Sequence, residues 1–201
     1  MFVQIINGRV GDAGAMKAAG DRWNADLRPG AAGWLGTTGG VTADGECVVL
    51  ARFESAEAAQ ANSDRAEQGR WWAEAEKCFT GEVSFGNFDN VALIRGGGSD
   101  QAGFVQVMLG KTANPARERE LTGEFESTSG DFRPDLLGGV VGINDDGSFV
   151  QAFYFTSEAE ARAGEKQEMP DELRDGFTES QASTIEIRFL DLNEPWLYSA
   201  G

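Results

Sequence analysis

Histidine is absent from all 201 residues. That excludes a His-ligated haem, a His-dependent catalytic triad, a Cys-His dyad and the commonest zinc sites. Cysteine is scarce: Cys47 and Cys78 stand apart with no CxxC motif, and both read as buried, inert thiols. No EF-hand loop or comparable ligand pattern is present, so neither a metal nor a cofactor is expected. Long apolar runs are missing, which argues against a membrane span. No basic segment followed by an apolar one opens the chain, and a cytoplasmic location is the expectation. Basic residues are few, 17 Lys and Arg against 33 Asp and Glu, for a net charge of −16. Such a field repels polyanions, so nucleic acid and anionic membranes are poor partners. Solubility is the simplest use of the charge.

What is present is a repeat. Phe2-Val3-Gln4-Ile5 returns as Phe104-Val105-Gln106-Val107, at an offset of 104 − 2 = 102 residues. The same offset joins Asp44-Gly45 to Asp146-Gly147 and Phe53-Glu54-Ser55 to Phe155-Thr156-Ser157. Two copies of one module follow. Each copy opens on a strand (2–10), then a helix capped by Asp12 or Asn114. Apolar residues Met16, Ala19, Trp23 and Leu27 recur there at helical spacing. The Asp-Gly pairs predict hairpin turns between strands 34–41 and 47–53, and between 136–143 and 149–155. Ser55 and Ser157 begin second helices, which are expected to break near Gln68 and Pro170. Strands 82–88 and 184–190 close the copies. The order β-α-β-β-α-β is the split ferredoxin-like motif. Module 1 is expected over 1–95 and module 2 over 103–201. Gly96-Gly97-Gly98-Ser99-Asp100 lies in a flexible linker spanning 96–102.

Phe53-Glu54-Ser55 before a Glu/Ala-rich helix, Asn62-Ser63-Asp64-Arg65, and the stretch Glu67-Gln68-Gly69-Arg70-Trp71-Trp72-Ala73-Glu74 carry a family resemblance. The chain resembles the dimeric α/β-barrel superfamily. Within it, it is most similar to antibiotic-biosynthesis-monooxygenase-like proteins, in particular a tandem group from actinobacteria. The resemblance implies an α+β fold in which the two modules form an intrachain pseudo-dimeric barrel, as a monomer or a weak homodimer. Strand patterns point the same way independently. Val48 and Leu50 make the second face of strand 47–53 apolar, and Val150 and Ala152 do so in copy two, so both sheet faces need cover.

The repeat also sorts candidate residues. Gln4 and Gln106 are polar in both copies; with Val3 and Ile5 assigned to the helix layer, they turn to the barrel interior. They read either as a mutually satisfied structural pair or as ligand-orienting amides. Arg52, whose echo is Tyr154, would bind a carboxylate or phenolate, or else reach solvent or pair with Glu186. Trp72, echoed by Arg174, could stack on a planar ligand or pack at the surface. Trp71 reads as core, and Trp34 as core or cavity wall. Tyr154 and Asn7 are weak catalytic candidates. Some superfamily monooxygenases use a first-strand Asn, but haem degradation also needs a helix-borne His that this chain lacks.

The expected site is therefore an apolar cavity lined by Gln4, Arg52, Gln106, Tyr154, Trp34 and Trp72, taking a small hydrophobic or aromatic molecule. An aromatic or polyketide-like ligand suits it, with a cofactor-independent monooxygenase or isomerase as the enzymatic reading. The alternatives are a non-catalytic hydrophobic-ligand-binding or stress-related protein, and an assembly module with a filled barrel.

Overall fold

The computed structural model describes residues 1–128 and 132–200. The first half of the chain runs β1 (Phe2–Arg9), α1 (Ala13–Arg22), β2 (Trp34–Val41), β3 (Glu46–Phe53), α2 (Ala56–Ser63), α3 (Ala66–Ala75) and β4 (Ser84–Phe88). The second half runs β5 (Val91–Ile94), β6 (Phe104–Thr112), α4 (Pro115–Thr128), β7 (Leu136–Ile143), β8 (Ser148–Phe155), α5 (Glu158–Gly164), α6 (Asp171–Ser183), β9 (Thr184–Leu192) and β10 (Trp196–Ser199). Two antiparallel sheets result, ordered β10-β2-β3-β1-β4 and β5-β7-β8-β6-β9. The fold is α+β, with two tandem ferredoxin-like modules.

Local chemistry explains the element boundaries. Side chains of Asp12, Ser55, Asn114 and Ser157 accept the backbone N–H of Ala15, Ala58, Arg117 and Glu160, so each satisfies an orphan donor of a helix start. Gly45 and Gly147 sit at φ 88° and 87°, where the Asp-Gly pairs require them. Past α1 the chain winds through a π-helical turn at Trp23–Leu27 and stops at a short 3-10 turn containing Pro29.

Four expectations need correction. Two strands went unforeseen, β5 and β10, because four residues offer too little alternation to register. The compact units divide as Met1–Asp89 with Glu194–Gly201, and Asn90–Asn193, rather than at the glycine stretch. That stretch is a turn within the second unit. Arg95, Gly96 and Gly97 have φ of 49°, 82° and 103°, and the Arg95 guanidinium donates to the carbonyls of Arg133 (2.8 Å) and Leu136 (2.6 Å). Glycine serves here for its left-handed backbone. Finally, the break in the first copy's second helix falls at Asp64-Arg65, not near Gln68, and α6 runs on to Ser183.

In the first unit, Phe2, Trp34 and Phe53 pack with Ala59 of α2, and Cys47 packs with Met16 of α1. In the second, Phe104, Phe149 and Phe155 pack with Ala161 of α5, and Phe125 of α4 joins them. The opposite faces are buried as well: Val3, Val48, Leu50, Val105, Val107, Val150 and Ala152 are wholly inaccessible. Both faces of the inner strands β1, β3, β6 and β8 are thus buried, as the strand patterns require.

β10 ties the C-terminal residues into the first unit. Trp196 and Tyr198 pack among helix-side core residues, and the Tyr198 hydroxyl donates to Asp21 Oδ1 at 2.6 Å. Burial and the Asp21 carboxylate both raise the Tyr198 phenol pKa. Burial, with the nearby Cys78, pushes the Cys47 thiol up to about 12 from 9.0. Both groups hold their protons in the folded chain after the unfolded chain has begun to release them. Stability is therefore full below about pH 9 and falls as pH rises toward about 12. Urea unfolding at pH 8 and at pH 10.5 should show this loss. Tyr198→Phe should cost about 1 kcal/mol at pH 8 and flatten part of the alkaline slope. Deleting residues 194–201 should cost several times more, since it bares the outer side of β2.

Candidate functional site

Strand alternation decides which residues can meet. In β1 and β3, Phe2 pairs with Phe53, Val3 with Arg52, Gln4 with Ala51 and Ile5 with Leu50. Paired residues share a face. Phe2 and Phe53 belong to the helix-side core, so Gln4 and Ile6 lie on the helix side too. Val3, Ile5 and Asn7 take the other face with Val48, Leu50 and Arg52. The second unit repeats this: Gln106 pairs with Phe153 on the helix side, whereas Val105 pairs with Tyr154 on the opposite face.

The expected residue set therefore separates. Gln4 and Arg52 lie on opposite faces of one sheet, and Gln106 and Tyr154 on opposite faces of the other. Val3 and Ile5 face away from the helix layer, and both glutamines lie on the helix side instead of the interior one. Trp34 is buried in the helix-side core, with its indole N–H donating to Thr37 Oγ1 at 3.0 Å. Tyr154 is 1% exposed. Asn7 is buried, and its amide donates to the Cys47 carbonyl at 2.9 Å, a structural bond that holds it within the sheet. The Arg52 guanidinium crosses the bulge at Gly36, where a Cβ would lie 2.2 Å from Nη2. Among the described residues, its buried Nε has no hydrogen-bond partner.

The glutamines resolve into a repeated motif. Gln4 donates to Asn87 Oδ1 at 3.4 Å, and Gln106 to Asp191 Oδ1 at 2.9 Å. Each bond links the first strand of a unit to its outer strand, across directly paired positions. The outer strands are thus offset by 191 − 87 = 104 residues, two more than the strands before them. On that alignment Phe85 and Phe189 are counterparts, opposite Ile6 and Met108, and they are 56% and 57% exposed. No hairpin fixes the register of an outer strand, so the sequence offset of 102 missed this match.

One element breaks the symmetry. In the first unit Trp72 of α3 stands edge-on to Phe85, with ring centroids 5.4 Å apart, and meets Phe79 at 6.2 Å and Trp71 at 6.2 Å. Trp71 is anchored, donating from its indole to the Ala19 carbonyl at 2.9 Å. At the echo of Trp72 the second unit has Arg174, which pairs with Asp171 at 2.5 Å. The first unit alone thus combines an aromatic wall, Trp72, Phe79 and Phe85, with an amide pair, Gln4 and Asn87, along the same sheet face. The wall is apolar and half-open, and its polar partners are uncharged amides. It can stack on a planar ring and hydrogen-bond an oxygen substituent, and none of these five side chains titrates. Of the expected residues, Gln4 and Trp72 lie on this side of the sheet; Phe85 and Asn87 are additions.

Among the described residues, no group of three or more His, Cys, Asp or Glu side chains could hold a metal ion, and no helix is long and apolar enough to cross a membrane. No protein-family model matches the chain, and no curated protein matches its sequence. Its backbone is similar to those of several solved proteins. A candidate monooxygenase from Fusobacterium nucleatum aligns over 100% of this chain and 94% of its own, with a TM-score of 0.78 at 11% identity. A second candidate monooxygenase, from Lactobacillus acidophilus, aligns over 100% and 96%, with a TM-score of 0.76 at 11% identity. An anthrone oxidase-like protein aligns over 100% and 91%, with a TM-score of 0.68 at 9% identity. At these identities the likeness is one of fold alone: these proteins share the two-module architecture of this chain.

Proposed function

We propose that the protein binds a small planar aromatic or polyketide-like molecule on the helix side of its first sheet. The observation that carries this reading is the Trp72–Phe85 pair. An aromatic ring more than half exposed, met edge-on by a tryptophan that the second copy lacks, is a stacking surface without a structural counterpart. The Gln4 and Asn87 amides beside it would orient a carbonyl or hydroxyl of the ligand. This replaces the cavity expected from the sequence. The proposed ligand set is narrower than the expected one and does not include Arg52, Gln106, Tyr154 or Trp34.

The monooxygenase-like fold of the solved neighbours supports a second, enzymatic reading: cofactor-independent oxygenation of an anthrone- or quinol-type substrate at the same surface. The aromatic wall and amides would then position and desolvate the substrate, and the substrate would supply its own acidic C–H or O–H. Membership of the antibiotic-biosynthesis-monooxygenase-like proteins belongs to this reading.

Calorimetric titration with an anthrone and a hydroquinone tests the binding proposal. Saturable binding is expected, weakened about 10-fold by Trp72→Ala or Phe85→Ala, as the loss of one aromatic contact implies. Gln4→Leu should weaken the oxygenated ligands more than their deoxygenated analogues. Absence of binding, or binding indifferent to both aromatic substitutions in chains that retain the native circular dichroism, would overturn it. Oxygen uptake in the same mixtures decides the enzymatic reading, and its complete absence leaves binding alone.

A further inference from the structure

The outer strand of the second sheet presents a different surface. β9 pairs with β6 on one side and ends the sheet on the other. It is nine residues long, whereas β4, the corresponding strand of the first unit, has five and contains Gly86. Ile185, Ile187 and Phe189 are 62%, 39% and 57% exposed, and Glu186 and Arg188 between them are exposed as well. A long outer strand with exposed apolar residues is a template for pairing with another strand. In a chain of net charge −16, the stretch 184–190 is neutral, with one acid and one base. Like-charge repulsion, which keeps the rest of the surface apart from its own copies, is suspended here.

The order of residues selects the partner. Ile185-Glu186-Ile187-Arg188-Phe189 is self-complementary in chemical type about Ile187: apolar residues lie two positions away on each side, with an acid one position before it and a base one position after. Antiparallel pairing of β9 with itself about a two-fold axis through Ile187 sets Glu186 opposite Arg188 of the second copy, twice. It sets Ile187 against Ile187 and Phe189 against Ile185 of the second copy. Opposite charges and apolar groups each meet their own kind of complement, which a two-fold contact requires of a single surface. We infer that β9 is a homodimer interface, joining two chains edge to edge through the second unit. Ile185 is the residue that the β6–β9 register skips between Glu186 and Thr184, so regular pairing is confined to the centre of the stretch, a contact short of a standard interface. The dimer is accordingly weak and concentration-dependent.

Sedimentation equilibrium on the full chain over about 1 to 300 μM, a range chosen to bracket weak association, tests this. A reversible monomer–dimer equilibrium is expected, and Ile187→Lys, which sets two ammonium groups at the axis, should abolish it. Glu186→Arg alone or Arg188→Glu alone should weaken dimerisation at least 10-fold, and the double exchange E186R/R188E should restore it. Each variant is checked for an unchanged thermal midpoint; all these positions are exposed, and the double exchange tests the pairing even where a single one disturbs other contacts of Arg188. A monomer at every concentration, a larger assembly, a dimer indifferent to Ile187→Lys, or failure of the double exchange to restore association would each overturn the inference.

Discussion

Phe2 stands opposite Phe53, and Phe104 opposite Phe155, and the faces of both sheets follow from these two cross-strand pairs. Each pair anchors a helix-side core. Alternation then leaves no freedom: the residue two positions on returns to that face and the one between goes to the other. A slip of one residue would bring Val3, Ile5 and Asn7 under the helices and send Gln4 across the sheet. The slip is opposed by the four phenylalanines, which would have to exchange positions with smaller side chains of the opposite face. Everything proposed about ligand contacts rests on that register.

The repeat, the element order and the hairpins were legible because each has a local signature. Asp44-Gly45 and Asp146-Gly147 demand a left-handed glycine, and Ser55 and Ser157 sit where helix caps must. The faces were harder to read. In a sheet buried on both sides, alternation of apolar and polar residues disappears, and with it the sign that tells one face from the other. A glutamine between valine and isoleucine could then be assigned to either layer. Only the phenylalanine pairing settles it, and pairing is a long-range property. β10 is too short to show alternation, and its position beside β2 depends on contacts made across more than 150 residues of chain.

Duplication separates structural from specialised residues only when copies are aligned by pairing. On the sequence offset, Gln4 and Gln106 were an unexplained polar pair. On the pairing, each is half of a side-chain bond to the outer strand, present in both units, and its repetition marks a role in holding that strand. The same alignment makes Phe85 and Phe189 equivalents and leaves Trp72 without one. Trp72 was singled out because its echo is Arg174, and that asymmetry keeps its meaning in the fold: one outer-strand phenylalanine is walled by aromatic rings and the other is not.

The two outer-strand phenylalanines thus meet different physical demands at equivalent positions. An aromatic side chain left in water forfeits the ~1.5–3 kcal/mol that burial would supply, so exposure leaves Phe85 and Phe189 each in need of cover. At Phe85 the short strand and Gly86 discourage pairing with another chain, while Trp72 and Phe79 supply rings against which a small planar molecule can lie. At Phe189 the rings are absent, but the strand is long and its charges are self-complementary. A flat molecule relieves the first exposure and a second strand the second. A tryptophan wall in one unit and a longer strand in the other are enough to divide equivalent surfaces into two kinds of contact.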